Sequence, residues 1–135
     1  MKGAITYLNF DGNCREAMTF YGKCLQADPN FTPFSAGPPV VKTAPDRILH
    51  AELTSGPVVL MASDTLPGMS FQAGNNFSIC IDCETQPEME RLFAALSENG
   101  KVTMPLHDAF WGGRFGMFTD QFGISWMLSF RAPGQ

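Results

Sequence analysis

The sequence predicts an α+β fold built from two βαβββ modules whose mixed sheets form a cup. Two observations support this prediction. The segments 5–63 and 76–130 each run as a strand, a helix and then further strands. The two segments also repeat one spacing between an arginine and a glycine, found at Arg47 and Gly56 and again at Arg114 and Gly123. A repeat of about half the chain indicates a duplicated half-domain rather than a solenoid of many short units.

The first module begins with an apolar, β-rich segment at Ile5–Phe10. Asn13 has the residue type of a helix N-cap, and Glu16 stands three residues later, as in a capping box. Apolar residues then recur at helical spacing, which predicts a helix over Arg15–Leu25. The strands expected after it are Asn30–Phe34, Ile48–Leu53 and Val58–Ala62, with a Gly- and Pro-containing loop at Ser35–Asp46.

The second module follows a polar linker at Asp64–Asn75. A strand is expected over Phe77–Cys83 and a helix over Glu88–Glu98, because Asn99 and Gly100 form a common helix stop. The remaining expected strands are Val102–Ala109, Phe115–Thr119 and Ile124–Phe130.

The alternation within the strands predicts which side chains face the helices and which face a cleft shared by the two sheets. In the strand Ile48–Leu53, Leu49, Ala51 and Leu53 would lie on the helix side. His50 and Glu52 would then face the cleft. In the last strand, the helix side would carry Trp126, Leu128 and Phe130, and the cleft side Ser125, Met127 and Ser129.

Composition restricts the class of protein. A chain of 135 residues with 44% hydrophobic and 16% charged residues fits a single folded domain over residues 1–135. The formal net charge is −4 and the nine basic residues are scattered, so nucleic acid is not an expected partner. No apolar run approaches the ~20 residues that span a bilayer. The N-terminal residues lack the apolar region of a signal peptide, so we expect no membrane partner and a cytoplasmic location.

The four cysteines are Cys14, Cys24, Cys80 and Cys83. In a reducing compartment they are expected to be free thiols that behave as small hydrophobic residues. Cys80 and Cys83 have C-x-x-C spacing, but both fall in an expected strand, where residues three apart point to opposite faces. A metal or redox role for this pair is therefore not expected.

Several motifs together resemble the signatures of one known family. They are Tyr7–Asn13, His50–Leu53, Leu60–Asp64, Gly74–Ser78, Gly100–Leu106 and Phe110–Met117, followed by Thr119-Asp120 and Phe122-Gly123. Together they resemble the PhnB-like family of the vicinal oxygen chelate superfamily. That superfamily also contains glyoxalase I, extradiol dioxygenases and bleomycin- or fosfomycin-resistance proteins. The resemblance covers nearly the whole chain.

The resemblance implies a glyoxalase/bleomycin-resistance-like fold, a homodimer and a small-molecule cleft in each cupped sheet. Some family members carry the label of a demethylubiquinone methyltransferase. The chain has no glycine-rich loop after its first strand and is too short for a nucleotide-type methyltransferase fold. Methyltransferase activity is therefore not expected.

The superfamily's enzymes hold a divalent metal with His, Gln or Glu ligands from four strands, and the resemblance carries those positions onto this chain. The first falls on Ile5 or Thr6, the second near Leu60, the third on Asn75 or Asn76, and the last on Met127. Leucine and isoleucine cannot bind a metal, methionine is a soft ligand, and asparagine is a weak one for a catalytic divalent ion. We therefore expect no cofactor, with a divalent metal at a rearranged site as the alternative.

His50 and Glu52 are the expected catalytic residues. They lie two apart on one strand, so their side chains share a face. A carboxylate beside an imidazole can orient the ring for acid–base work or for metal binding. The alternative is a polar pair that satisfies itself, or Arg47, within a partly wet sheet.

Six further residues are expected to bind a ligand. Trp111 and Arg114 stand among glycines and could stack on, or anchor, a planar or anionic compound. The alternative is a structural bulge in which the tryptophan caps the core and the arginine bridges to a carboxylate. The other four are Tyr7, Asn9 and Asn76, as polar positions on central strands, and Met127, as a cleft-facing residue of the last strand.

These expectations describe a cytoplasmic, dimeric, small-molecule-binding protein of the vicinal oxygen chelate type, with unknown substrate and without the usual metal site. One alternative is a metal-dependent lyase or dioxygenase with a rearranged site around His50 and Glu52. The other is a resistance-type protein that sequesters a drug without chemistry. Glyoxalase- or dioxygenase-like chemistry is expected if the chain is an enzyme, a question that the residues leave open.

Overall fold

A computed structural model describes residues 1–38, 44–66 and 68–132 of the chain. The predicted α+β class is confirmed, because two α-helices accompany two four-stranded mixed sheets. The chain divides into two compact units, Met1–Gln72 and Ala73–Gln135. Each unit holds one sheet and one α-helix.

The first unit has the predicted order of strand, helix and three strands. Its elements are β1 (Thr6–Phe10), α1 (Cys14–Leu25), β2 (Asn30–Pro33), a 3₁₀ helix (Phe34–Ala36), β3 (Ile48–Ser55) and β4 (Val58–Asp64). The strand order is β1-β4-β3-β2, in which β1 and β4 are parallel and the other neighbours are antiparallel. The predicted loop at Ser35–Asp46 includes residues 39–43, which lie outside the described residues.

The second unit repeats this topology. Its elements are β5 (Ile79–Cys83), α2 (Gln86–Leu96), β6 (Lys101–Asp108), β7 (Arg114–Thr119) and β8 (Ser125–Phe130). The strand order is β5-β8-β7-β6, with β5 parallel to β8. The duplication read from the sequence therefore corresponds to two sheets of identical strand order.

The N-terminus of α1 is capped by a residue that the local pattern does not reveal. Asn13 makes no side-chain capping bond, contrary to the prediction. Instead the Asp64 carboxylate, at the end of β4, accepts hydrogen bonds from the backbone N–H groups of Gly12 and Cys14. Its second oxygen accepts from the backbone N–H of Ile48 at the start of β3. One buried carboxylate thus joins the helix to two strands.

A variant of the capping box forms at the start of α2, in which the carboxylate bonds the residue before the N-cap Thr85. The Thr85 hydroxyl accepts from the backbone N–H of Glu88, and the Glu88 carboxylate accepts from the backbone N–H of Glu84. This box places the helix start at Gln86, two residues before the prediction.

The strand alternation holds with one shift. Ala51 and Leu53 are buried as expected, but Ile48 is fully buried while Leu49 is only half-buried. The pairing of β2 with β3 is irregular at Pro33, opposite Ile48, and this local change of register moves the buried position by one residue. In β8, Trp126 and Leu128 are buried as expected.

The two copies are also offset by one residue in their last strands. In register with the first strand of each unit, Leu60 lies opposite Thr6 and Trp126 lies opposite Ile79. Both Leu60 and Trp126 are buried, so Leu60 corresponds to Trp126. Counting four residues from Gly56 and from Gly123 would instead align Leu60 with Met127. The glycine spacing therefore locates the turns but not the register beyond them.

Candidate functional site

Three side chains form a hydrogen-bonded chain on the outward face of the first sheet. The Tyr7 hydroxyl oxygen lies 3.1 Å from His50 Nδ1, and His50 Nε2 lies 3.0 Å from Glu52 Oε1. The two rings are 5.8 Å apart between centroids. The side chains of His50 and Glu52 are 37% and 48% exposed, so a small molecule can reach these hydrogen-bonded groups from solvent.

Strand register explains why these residues meet. Tyr7 on β1 is opposite Met61 on β4, and Met61 is opposite Glu52 on β3, so all three share one face. His50 shares that face because it is two residues from Glu52. The opposite face carries the buried residues Leu8, Ala51 and Ala62. Since β1 and β3 are separated by two strand spacings, about 10 Å, only a long side chain such as tyrosine can reach His50.

The hydrogen bonds determine the arrangement of protons on a neutral His50 ring. An ionised carboxylate only accepts hydrogen bonds, so the ring hydrogen must be on Nε2, which faces Glu52. The Nδ1 atom then has a free lone pair and accepts the hydrogen bond of the Tyr7 hydroxyl. The order hydroxyl, imidazole and carboxylate is the one that allows an imidazole to take a proton while a carboxylate stabilises the imidazolium.

The second unit carries an open groove of about 660 Å³ on its own sheet. The residues that line it include two aromatic residues on the groove face, a stacked cation, a carboxylate and the end of β8: Trp111, Phe115, Arg131, Asp82 and Phe130. The Arg131 guanidinium carbon lies 4.9 Å from the Trp111 ring centroid, a cation–π contact. Asp82 Oδ1 lies 3.5 Å from the Ser129 hydroxyl. Such a mixture of flat apolar walls and few polar groups is typical of small-molecule sites.

Gly113 determines where Trp111 lies. A Cβ atom at position 113 would overlap both the Trp111 ring and the Phe130 carbonyl oxygen. The glycine thus allows the indole to pack on the backbone beside the groove. The predicted role of the glycines around Trp111, close approach of the backbone, is seen at this position.

Arg114 does not share the groove with Trp111. In β7 it shares one face with Gly116 and Phe118, which are buried, and it lines a separate pocket of about 260 Å³. Its guanidinium Nη1 lies 3.5 Å from Asp108 Oδ1. Trp111 and Arg114, which were expected to bind a ligand together, therefore line different pockets. Bridging to a carboxylate, the alternative considered for Arg114, is what the geometry shows.

Comparison with known proteins assigns the family. A family model described as 3-demethylubiquinone-9 3-methyltransferase matches residues 2–129. Protein YjdN of Escherichia coli (strain K12) is 32% identical over 136 residues, covering 91% of each chain. The chain belongs to this family. Its PhnB-like character, suggested by the motifs, is confirmed by the solved structures that it resembles.

Two solved structures are similar over nearly their full length. Protein PA1353 from Pseudomonas aeruginosa has a TM-score of 0.89 at 40% identity and covers 98% of this chain and 99% of its own. A putative 3-demethylubiquinone-9 3-methyltransferase, PhnB protein, from Bacillus cereus has a TM-score of 0.78 at 27% identity, with 96% and 99% covered.

A glyoxylase/bleomycin resistance protein/dioxygenase domain from Frankia sp. EAN1pec shows the same fold at 12% identity and a TM-score of 0.68, with 100% and 96% covered. This likeness shows the fold, which the PhnB-like chain shares with that domain. Within the described part of the chain, no helix is long and apolar enough to cross a membrane.

The metal site of the superfamily does not fit the residues of this PhnB-like chain. Leu60 is 1% exposed and packs in the core, so the position carried onto it cannot present a ligand. In the residues that the structure describes, no group of three or more His, Cys, Asp or Glu side chains is placed to hold an ion. His50 and Glu52 are bonded to each other, and the second nitrogen of His50 is taken by Tyr7.

The remaining predicted ligand residues lie in different surroundings. Asn9 shares the outward face of the first sheet with Tyr7, because it is two residues further along β1. Met127 is half-buried in β8, opposite Cys80. Asn76 is exposed and precedes β5, which begins only at Ile79, so its prediction as a strand residue is wrong. The run Gly74-Asn75-Asn76 consists of turn-forming residue types, which favours a turn over a strand at this point.

Sequence reasoning missed Arg131, Phe115, Phe130 and Asp82 as groove residues. Arg131 follows the last predicted strand. Its contact with the Trp111 ring is a tertiary contact between residues that are 20 apart in the sequence, which a local pattern does not reveal. Asp82 could have been found from strand alternation. It lies on the same face of the strand as Cys80, while the buried Ile81 lies on the other face.

The four cysteines should differ in reactivity. All are free thiols; Cys14, Cys24 and Cys83 are buried, whereas Cys80 is exposed. Burial raises the pKa of Cys14 to about 12 and that of Cys83 to about 11. Because the thiolate is the reactive form, iodoacetamide at pH 8 should modify one cysteine, Cys80, well before the others. Mass spectrometry of the time course checks this, and equal labelling of Cys83 in native protein would contradict the structure.

Proposed function

We propose that this PhnB-like chain binds a small organic molecule on the outward face of its first sheet and catalyses proton transfer without a metal. His50 and Glu52 serve as the acid–base pair. The observation that supports this is the hydrogen-bonded chain from Tyr7 through His50 Nδ1 and Nε2 to Glu52. Histidine is the side chain that most often transfers protons in enzymes, and a neighbouring carboxylate can orient its ring.

The proposal requires no metal because the protein residues supply each function that it uses. Glu52 orients the imidazole and compensates the charge of its protonated form. The residues at the carried-over ligand positions do not supply the donor set that a catalytic divalent ion needs. Asn9 adds an amide on the same face that can hydrogen-bond a ligand.

The proposal is tested by deuterium exchange into a panel of carbonyl compounds with acidic C–H groups, followed by NMR in D₂O. We expect exchange that is proportional to protein concentration and survives treatment with EDTA. His50→Ala should lower the protein-dependent rate by about 100-fold or more, and Thr54→Ala, an exposed change on the same strand, should leave it unchanged. Exchange that disappears with EDTA and returns with a divalent ion would refute the metal-free reaction and favour the rearranged metal site.

A second candidate function is binding without chemistry, as in a sequestering protein. The groove with Trp111 and Phe115 favours it, since flat aromatic walls bind planar compounds without any reactive group. Turnover in the exchange assay separates this candidate from the first.

We further propose that the chain acts as one domain in a cytoplasmic homodimer. Sedimentation of the purified protein would test the oligomeric state.

A further inference from the structure

We propose that Tyr7, rather than His50, is the catalytic residue that exchanges a proton with the substrate, and that the substrate is a carbon acid whose anion is delocalised over two oxygens, such as a 1,3-dicarbonyl compound. This inference rests on the proposed function and deepens it, because it names the reacting oxygen and the class of molecule. It follows from which atoms of the three-residue chain remain accessible.

Neither nitrogen of His50 is free for a substrate. Nε2 donates to Glu52 at 3.0 Å and Nδ1 accepts from Tyr7 at 3.1 Å. A substrate proton can reach the imidazole only by way of the Tyr7 oxygen, or by displacing one of these partners. Tyr7 itself is 45% exposed on the same face, so its oxygen has a lone pair available to solvent or to a ligand.

The proposed step moves two protons and needs no oxidant or reductant. The Tyr7 oxygen removes a proton from substrate carbon while the hydroxyl proton of Tyr7 passes to His50 Nδ1. The products are a substrate anion, a neutral Tyr7 and an imidazolium whose Nε2–H remains bonded to Glu52. In the reverse direction Nδ1 returns its proton to Tyr7, which delivers a proton to the substrate oxygen. The net reaction is the conversion of a keto form into its enol.

The charges on the strands of the first sheet restrict which substrate can give up a proton. β1, β2, β3 and β4 contain no lysine or arginine, so no cation on these strands stabilises the anion of the substrate. A substrate anion on this face must therefore be stabilised by its own delocalisation. The enolate of a simple ketone spreads its charge over one carbon and one oxygen. The anion of a 1,3-dicarbonyl compound spreads its charge over two oxygens, so this class of compound fits a face without a cation.

The test uses 2-acetylcyclohexanone, a 1,3-dicarbonyl compound whose enol absorbs in the ultraviolet. An acetonitrile stock is diluted into buffer with protein, and the enol-to-keto conversion is followed by absorbance. Wild-type protein should accelerate conversion in proportion to its concentration. Tyr7→Phe should lose at least about 100-fold of that acceleration, as should His50→Ala, while Thr54→Ala should keep it. Matching thermal unfolding of Tyr7→Phe and wild type shows that only the hydroxyl was lost.

The outcomes separate the two proposals. Full activity in Tyr7→Phe together with loss in His50→Ala refutes the role of Tyr7 and leaves the proposed function standing. A wild-type protein that exchanges deuterium into other carbonyl compounds but does not accelerate this conversion refutes the substrate class. Inactivity in both assays refutes the proposed function itself.

A second measurement does not depend on a variant. The chain has two tyrosines, Tyr7 and the buried Tyr21. Incorporating 3,5-difluorotyrosine makes both phenols more acidic without adding bulk. Because the relay needs the protonated Tyr7 hydroxyl, the alkaline limb of the pH–rate profile should move to lower pH. A profile that does not move shows that no tyrosine hydroxyl takes part in the rate-limiting proton transfer. A purely structural tyrosine would leave the profile in place.

Discussion

Replacing Asp64 by alanine should lower the free energy of unfolding by about 3–5 kcal/mol. Asp64 is 2% exposed, and its two oxygens accept hydrogen bonds from three backbone N–H groups, at Gly12, Cys14 and Ile48. Alanine would leave these donors without their partner at the start of α1 and of β3. Urea unfolding followed by circular dichroism measures the loss.

Two further variants make the Asp64 experiment specific. Asp28→Ala removes a carboxylate from an exposed position and should change the unfolding free energy by less than about 0.5 kcal/mol. Asp64→Asn keeps one acceptor oxygen and should fall between wild type and Asp64→Ala. If Asp64→Ala were as stable as Asp28→Ala, the three backbone N–H groups would have other partners and the assignment would be wrong.

Replacing Gly113 by alanine should destabilise the second unit by about 1–3 kcal/mol and displace Trp111 from its position beside the groove. The added methyl would meet both the indole ring and the Phe130 carbonyl oxygen. The backbone oxygen is part of β8 and cannot easily move, so the tryptophan must leave its place over the glycine. Separation from the Arg131 guanidinium, now 4.9 Å from the ring centroid, would accompany this movement.

Fluorescence and urea unfolding together check the Gly113 prediction. Emission from Trp111 should move to longer wavelength as the indole enters water, while the buried Trp126 gives a constant background. Gly74→Ala is the matched control, since a Cβ there meets only the Asn76 side chain at 3.7 Å. Unchanged emission and stability in Gly113→Ala would mean that Trp111 packs elsewhere and does not form the groove wall.

The fold and half of the proposed catalytic site could be predicted from local patterns. Strand alternation places His50 and Glu52 on one face from their spacing alone, and the structure shows them hydrogen-bonded. The hydrogen bond to Tyr7 could not be predicted in the same way. Tyr7 is 43 residues away and two strands across the sheet, so the contact depends on the strand order β1-β4-β3.

The same distinction explains the errors. Asn13 has the right residue type for a cap, but the cap is supplied by Asp64, 50 residues from Cys14 in the chain. Trp111 and Arg114 are close in sequence, yet strand alternation in β7 directs Arg114 away from the groove. Arg114 shares one face of β7 with the small residue Gly116 and the apolar Phe118. This alternation is the signal that would have distinguished Arg114 from Trp111.

The secondary structure, the duplication and the family could be predicted from the residues, because apolar periodicity, turn residues and several motifs of matching spacing are local properties of the chain. Which polar groups meet depends instead on how the strands pair. Parallel pairing of β1 with β4 brings Tyr7 to His50, brings Asp64 to the start of α1 and buries Leu60. These contacts join residues that are distant along the chain, and their energies depend on register, which a local pattern does not specify.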